Sequence, residues 1–465
     1  MSPRLARIAI ASVAIAHAAL FIVYQRPDWD TQWTDQNGYM MLGRNLAETG
    51  RYTRFAAAQD YVPEAIRTPM YPAFVALLDL VFGESRVAIA SVQAVLFAII
   101  CLLVYEIARA ATTERIASAA GLLTAMYPPL PYFGALVLTE VFTTGLVTAG
   151  MAVWLAGLRR NSTGLFVGSG AIFGATALTR PAFEYLPLFL VAAAVVAARE
   201  NRRLRWRAGA IMLATFCAVI APWLAYNAVY FKTLTFTPAG GPGRQLFEGS
   251  WQAELPGRVE AELTTLADSN SNRRELDDRV RAVAARTGMP AEPMLRYVHQ
   301  HQDIRKIWVD PVEPWERMRS RIEADHEYFR VGMENIRLHP VRYMWRRATR
   351  GTFLLWAAEI PVRYSDINRL SPLTIRAIWF VQVVLMVLAL CGGVVLARQG
   401  AVTEAFAMAA LILYVSAVHV PLYSEARYSL PAKPMVLLLA AAAIVVAAER
   451  WVARRTSYRP LSHRS

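Results

Sequence analysis

Asp35 and Arg67 are the residues of this chain best suited to chemistry, and residues 33–72, which hold them, follow directly on the first apolar segment. The stretch opens W-T-D-Q-N-G-Y-M-M-L-G-R-N-L-A-E-T-G-R-Y, passes through a polar connector and ends R-T-P-M-Y-P. A carboxylate can take a proton, and a guanidinium can hold a phosphate through two parallel hydrogen bonds. Where a chain leaves a bilayer, that pair suits a reaction on a lipid-linked phosphate. Several aromatic residues share the loop.

Other ionisable residues gather at the same membrane surface. They are Glu140 at the mouth of the fourth apolar span, Arg180 and Glu184 at the turn between the fifth and sixth, and Glu425, Arg427 and Lys433 in the last outer loop. The spans themselves are nearly free of charge, with Glu106 and Glu404 at their cytoplasmic ends. Transporters tend to place acids and broken helices near the bilayer midplane, so this distribution speaks for chemistry at one interface. Each residue also has a plain structural role open to it. Asp35 and Glu140 could cap helices, Arg67 could snorkel, Arg180 could anchor to headgroups, and Arg427 could belong to an aromatic belt. His419 reads as a core histidine. There is no H-E-x-x-H, no paired C-x-x-C, no nucleophile elbow and no phosphate-binding glycine loop.

The elements that must position these residues are membrane helices. Of the 465 residues 55% are hydrophobic and 18% charged, yet the formal net charge is +14. Basic residues beside apolar runs follow the positive-inside rule, and nucleic acid is not expected as a partner. About 20 apolar residues are needed to span hydrocarbon. Spans are expected at 7–24, 87–108, 116–133, 140–158, 164–179, 183–198, 208–230, 375–397, 402–421 and 431–449. Every even-numbered exit is basic, which puts both termini in the cytoplasm and the loaded loops outside. The first span is expected to stay uncleaved. Residues 69–83 and 351–361 are too short to span and read as helices lying at the interface. The expected domains are an N-terminal membrane module (1–231) with its site-bearing first outer loop (25–83), a soluble helical insert (232–350), and a C-terminal juxtamembrane helix with a second membrane module (351–465). Within the insert, the connector 252–272 reads as the mobile part. The expected fold class is therefore an all-α polytopic membrane protein of about ten transmembrane helices. Cys101, Cys217 and Cys391 lie inside apolar runs and say nothing of redox compartment.

Taken in order, Asp35 with Tyr39 four residues on, N-L-A-E-T-G-R-Y, R-T-P-M-Y-P, L-T-E at 138–140, L-T-R-P at 178–181, A-P-W-L-A-Y-N at 221–227 and R-Y-S-L-P at 427–431 resemble the membrane glycosyltransferases of the GT-C fold. The branch resembled is the bacterial one, similar to protein O-mannosyltransferases and the lipid A aminoarabinose transferase. The soluble insert carries no such match. The resemblance implies that Asp35 is the catalytic residue and that Arg67, where relatives often have Lys, contacts the donor phosphate. It further implies that Glu140 shapes the site and that Arg427 is a second phosphate contact. Many relatives have Asp-Glu where this chain has Asp35-Gln36, which leaves one acid in the first loop. Asp35 and Glu140 could share a divalent cation only if the fold brings them together, and no cofactor or metal ligand is otherwise assigned.

The expected reaction moves a sugar from a polyprenyl-phosphate donor to a hydroxyl of a glycan, lipid or protein. Asp35 takes the hydroxyl proton, the anomeric configuration inverts, and Arg67 and Arg427 stabilise the leaving phosphate, with Arg180 and Lys433 as further anion contacts. One carboxylate suffices because the phosphate leaves unprotonated. Trp33, Tyr39 and Tyr71 are expected near the lipid headgroup. The expected location is a bacterial inner membrane with the site on its extracytoplasmic face. A transporter or lipid flippase, and a non-catalytic assembly partner whose insert docks another protein, are the alternatives.

Overall fold

The computed structural model describes residues 2–29, 35–198, 201–269 and 272–457. Trp33 lies outside them. Among the described residues every regular element is helical, so the protein is an all-α polytopic membrane protein.

Chain order begins with α1 (Pro3–Gln25), α2 (Asp35–Thr49), α3 (Met70–Phe82), α4 (Arg86–Ala111), α5 (Glu114–Ala125), α6 (Pro129–Gly134), α7 (Thr139–Arg160), α8 (Thr163–Thr179), α9 (Leu186–Ala197) and α10 (Arg202–Phe231). Hydroxyl caps open several of these, as where Ser85 accepts from Ala88 N at 3.2 Å. α1 buries a stripe of small or branched residues, Ala6, Ile10, Ala14 and Ala18, four apart. Its other face leaves Leu5, Leu20 and Val23 exposed, as expected where the surrounding solvent is hydrocarbon. The run expected to span at 116–133 is instead broken after Ala125. Pro128, Pro129 and Pro131 cannot donate backbone hydrogen bonds, and the chain turns there into the buried six-residue α6. Among the described residues seven helices are long and apolar enough to cross a membrane, while α3, α8 and the 181–197 segment are shorter.

The second half comprises α11 (Pro242–Gln252), α12 (Gly257–Ala267), α13 (Arg273–Thr287), α14 (Ala291–Val309) and α15 (Pro314–Leu338), followed by α16 (Pro340–Arg346), a π-helical turn (Arg347–Gly351), α17 (Thr352–Trp356), α18 (Tyr364–Ile367), α19 (Pro372–Arg398), α20 (Val402–His419) and α21 (Lys433–Ser457). Helices α11 to α15 pack around a core of their own, with Phe247, Trp251, Leu263, Val280, Tyr297 and Tyr328 at its centre. The connector expected at 252–272 contains α12, because Val259, Leu263 and Leu266 fall on one helical face and are buried. α21 lies in the middle of the membrane bundle against α19, α5 and α4. Gly392 lets α19 approach it closely, since a Cβ there would stand 1.8 Å from the Leu439 carbonyl oxygen.

Candidate active site

Asp35 is the first residue of α2, and Arg67 sits at the end of the connector that leads into α3. Arg67 Nη2 donates to Asp35 Oδ1 at 2.8 Å and Nη1 donates to the Asp35 carbonyl at 3.0 Å. The guanidinium lies 3.9 Å over the Tyr39 ring and against Gly38, where a Cβ would come within 2.9 Å of it. This explains the glycine in D-Q-N-G-Y: a larger residue would push Arg67 off the acid. The Asp35 side chain is 47% exposed, so a substrate can reach it. Burial works to raise its carboxyl, but Arg67, Arg427, Arg244 and Arg180 together outweigh that and hold it below its ordinary value.

Three more elements close the pocket. α7 begins with Thr139 and Glu140, α8 ends at Thr179 and Arg180, and the turn before α21 supplies Arg427 and Tyr428. The Arg427 Nη1 lies 3.7 Å from Asp35 Oδ2 and 3.6 Å from Glu140 Oε1, while its Nε donates to Glu425 Oε2 at 2.8 Å. Glu140 is buried, with Arg180 at 3.7 Å. Arg180 rests 4.7 Å over the Tyr428 ring. Glu140 Oε2 and Arg180 Nη1 are both buried and make no hydrogen bond among the described residues, which leaves a cationic donor available in the wall. The cavity these residues enclose, with Tyr39, Ile66, Thr68 and Thr237, holds about 180 Å³.

Buried polar contacts hold this wall in place. Glu64 Oε1 accepts from the backbone N–H groups of Ile66 (2.7 Å) and Arg67 (3.1 Å), and its carboxylate pairs with Arg54. Thr68 Oγ1 donates to the Thr179 carbonyl at 3.0 Å, tying the first loop to the end of α8. Gln36 accepts from Val137 N at 2.9 Å, and Gln93 donates to the Gly134 and Leu136 carbonyls. Both amides fix the loop that delivers Glu140. The π-helical turn contributes Arg347, which is buried without a carboxylate: it donates to the Val420 carbonyl (2.7 Å), Gln252 Oε1 (2.5 Å) and Ser424 Oγ (2.7 Å). Gln252 in turn accepts from Ser424 N and donates to its carbonyl. The segment leading to Arg427 is thus clamped between α11 and the π turn.

Of the residues expected from sequence, Asp35, Tyr39, Arg67, Glu140, Arg180 and Arg427 line one cavity. Two do not. Tyr71 is fully buried behind Tyr39, with ring centroids 5.0 Å apart, and its hydroxyl donates to Gln93 at 3.1 Å. It supports the wall because its ring faces the small core of Met40, Val75 and Leu78 rather than the cavity. Lys433 is buried elsewhere, donating to the Trp356 carbonyl at 2.7 Å and to Gln382 at 3.3 Å. The helical turns of 426–432 carry it away from Arg427. Sequence reading missed Glu64, Thr237 and Tyr428. An acid three residues before Arg67 in a proline-flanked loop is the signal for Glu64, and Tyr428 follows an arginine already singled out. The fold does bring Asp35 and Glu140 together, but the guanidinium of Arg427 stands between them. Among the described residues no group of three or more His, Cys, Asp or Glu side chains could hold a metal.

This architecture, in which long membrane helices carry a loaded first loop and a helical insert, defines the class as a membrane protein of the GT-C fold. Residues 66–226, roughly a third of the chain, match the family described as dolichyl-phosphate-mannose-protein mannosyltransferase. The oligosaccharyltransferase AglB of Archaeoglobus fulgidus, solved with an inhibitory peptide and a dolichol-phosphate, superposes with a TM-score of 0.55 at 13% identity over 99% of this chain and 52% of that one. The same archaeal enzyme tethered to an acceptor peptide gives 0.54 at 12% identity, over 99% and 51%. ArnT of Cupriavidus metallidurans bound to undecaprenyl phosphate gives 0.40 at 15% identity, over 93% and 78%. The chain spans about half the length of the archaeal structures it matches. No curated protein matches it by sequence.

Proposed function

We propose that the protein is an integral membrane glycosyltransferase that moves a sugar from a polyprenyl-phosphate donor to a hydroxyl acceptor at the extracytoplasmic face, with inversion. The observation that carries this reading is the accessible Asp35 carboxylate, held ionised by Arg67 in a cavity where buried Arg180 keeps an N–H unspent. Asp35 accepts the proton of the incoming hydroxyl. Arg67, Arg180 and Arg427 receive the charge that grows on the leaving phosphate, in a site where little water competes. Before substrate arrives, the three guanidinium groups are paired with Asp35, Glu140 and Glu425, so a donor phosphate takes up the hydrogen-bonding capacity that Arg180 leaves unused. Glu140 is too deeply buried to meet the acceptor and instead orients Arg180 and Arg427. The family match over 66–226 and the shared fold support the donor class.

The test is release of free lipid phosphate from a panel of radiolabelled polyprenyl-phosphate sugars by purified protein in nanodiscs, supplied with membrane extract as acceptor. One donor should be consumed, and Asp35→Asn should reduce turnover by about 10²-fold or more. Wild-type turnover in Asp35→Asn would remove Asp35 as the base. No release from any donor would move the reading to transport.

A further inference from the structure

A second cationic site adjoins the pocket where the insert meets the first loop. α15 lies on that loop through Trp315 and Met318, which pack with Val62 and Ala65, and Ala239 N donates to the Ala65 carbonyl at 2.9 Å. Arg317 and Arg321 are one turn apart on α15, and Arg244 stands near the start of α11. Arg321 feels the charges of Arg54, Arg317 and Arg244, and Arg244 also acts on Asp35. Arg244 N donates to Asp325 Oδ1 at 3.2 Å, one turn beyond Arg321 on α15, and the start of the insert also supplies Thr237 to the cavity wall.

Its acids do not balance it. Glu64 is taken by Arg54, and Glu248 by Arg244 at 2.7 Å. Among the described residues the side chains of Arg317 and Arg321 have neither an ion pair nor a hydrogen bond. The Arg321 guanidinium is stacked 4.0 Å over the Trp308 ring. Burial first, and then the neighbouring guanidinium groups, push it down to about 10. A half-buried cation whose nearby carboxylate, Glu64, is already bonded to Arg54 is costly. Stacking fixes its plane while leaving its edge N–H groups open, which is the geometry that takes a carboxylate or phosphate through two hydrogen bonds.

We propose that Arg244, Arg317 and Arg321 form a subsite for an acidic group, a phosphate monoester or a sugar carboxylate, on the molecule that receives the sugar. The inference rests on the transferase reading for the word acceptor, and it makes that acceptor an anion. The donor phosphate has its own guanidinium groups across the cavity, and these three come from the insert.

The experiment uses the full chain in phosphatidylcholine nanodiscs, which present no anionic headgroup, with binding measured by calorimetry. The probes are glucose 6-phosphate, glucuronate, inorganic phosphate and uncharged glucose. The charged sugars should bind and glucose should not. Arg317→Gln with Arg321→Gln should weaken the charged sugars by about tenfold or more. The double lysine variant should recover part of the affinity, which separates lost charge from lost fold. Inorganic phosphate binding as well as the sugars would show that the anion alone is recognised, and its loss in the same double variant would support the subsite. Charged sugars binding no better than glucose, or not depending on Arg321, would overturn it. Lipid-phosphate release is followed in parallel. Arg321-dependent binding without release would sink the transferase reading and keep the anion site, whereas release without such binding would do the reverse.

Discussion

Replacing Arg427 by glutamine removes a side chain that reaches three carboxylates. Its Nη1 is 3.7 Å from Asp35 and 3.6 Å from Glu140, and its Nε bonds Glu425. At an effective dielectric near 20, each pair at that distance is worth about 4 to 5 kcal/mol before desolvation is subtracted. Breaking a buried pair from one side typically costs about 3–5 kcal/mol. Asp35 keeps Arg67 and Glu140 keeps Arg180, so the loss in fold stability should fall at the lower end, about 3 kcal/mol. On the proposed reading the transition state loses more, because the leaving phosphate gains charge where Arg427 stood. We expect turnover to fall by about 10² to 10³. Arg427→Lys keeps a charge, but a single ammonium cannot span the three acids, and about a tenfold loss is expected. The assay is lipid-phosphate release at saturating donor, with pH varied. In the wild type, Asp35 is held below its ordinary 3.8, so it stays ionised and contributes no acid limb at neutral pH. Without Arg427 one of the charges that lower it is gone, and the acid limb should move up. Arg427→Gln protein that melts as a folded species and turns over within about twofold of wild type would refute the role assigned from these distances.

Three further outcomes can be measured. Glu64→Gln strands the Arg54 charge and loosens the backbone of Ile66 and Arg67, so it should cost about 3–5 kcal/mol in stability and raise the KM for donor. Arg347→Lys keeps at most one of its three hydrogen bonds. It should lower kcat about tenfold with little change in donor KM, because it displaces Arg427 rather than the first loop, and a melting curve alone would not show that split. Glu359 is buried, and burial, then the charge of Glu425, raises its carboxyl from 4.5 to about 7. The folded state therefore resists ionisation, and stability falls as pH rises from about 4.5 through about 7. Glu359→Gln should raise thermal stability at pH 8 by up to about 3 kcal/mol and leave it unchanged at pH 4.

Much of this site could be read from sequence because its residues are misplaced by ordinary rules. An aspartate and an arginine beside an apolar span, an acid at the start of α7 and an arginine at the end of α8 are conspicuous against clean membrane helices. Periodicity located most helices for the same reason. It failed at 116–133, where hydropathy sees an unbroken run but three prolines end the hydrogen-bond ladder. Lys433 shows another limit: loop composition names the charged residues, while the 3₁₀ turns of 426–432 decide which of them face the cavity. Thr237 had no signal at all, since only the fold of the insert onto Ile66 brings it there.

The cavity is built from segments far apart in the chain, so Asp35 is translated well before Arg427. At ordinary rates of synthesis, about 5–20 residues per second, on the order of 20 to 80 s separates them. On the proposed reading, a nascent chain during that interval has its base exposed and its phosphate cradle unfinished. On that reading reactivity is conferred by the loop that carries Arg427, and a chain lacking that loop would be an inert membrane protein rather than a leaky hydrolase of the donor pool.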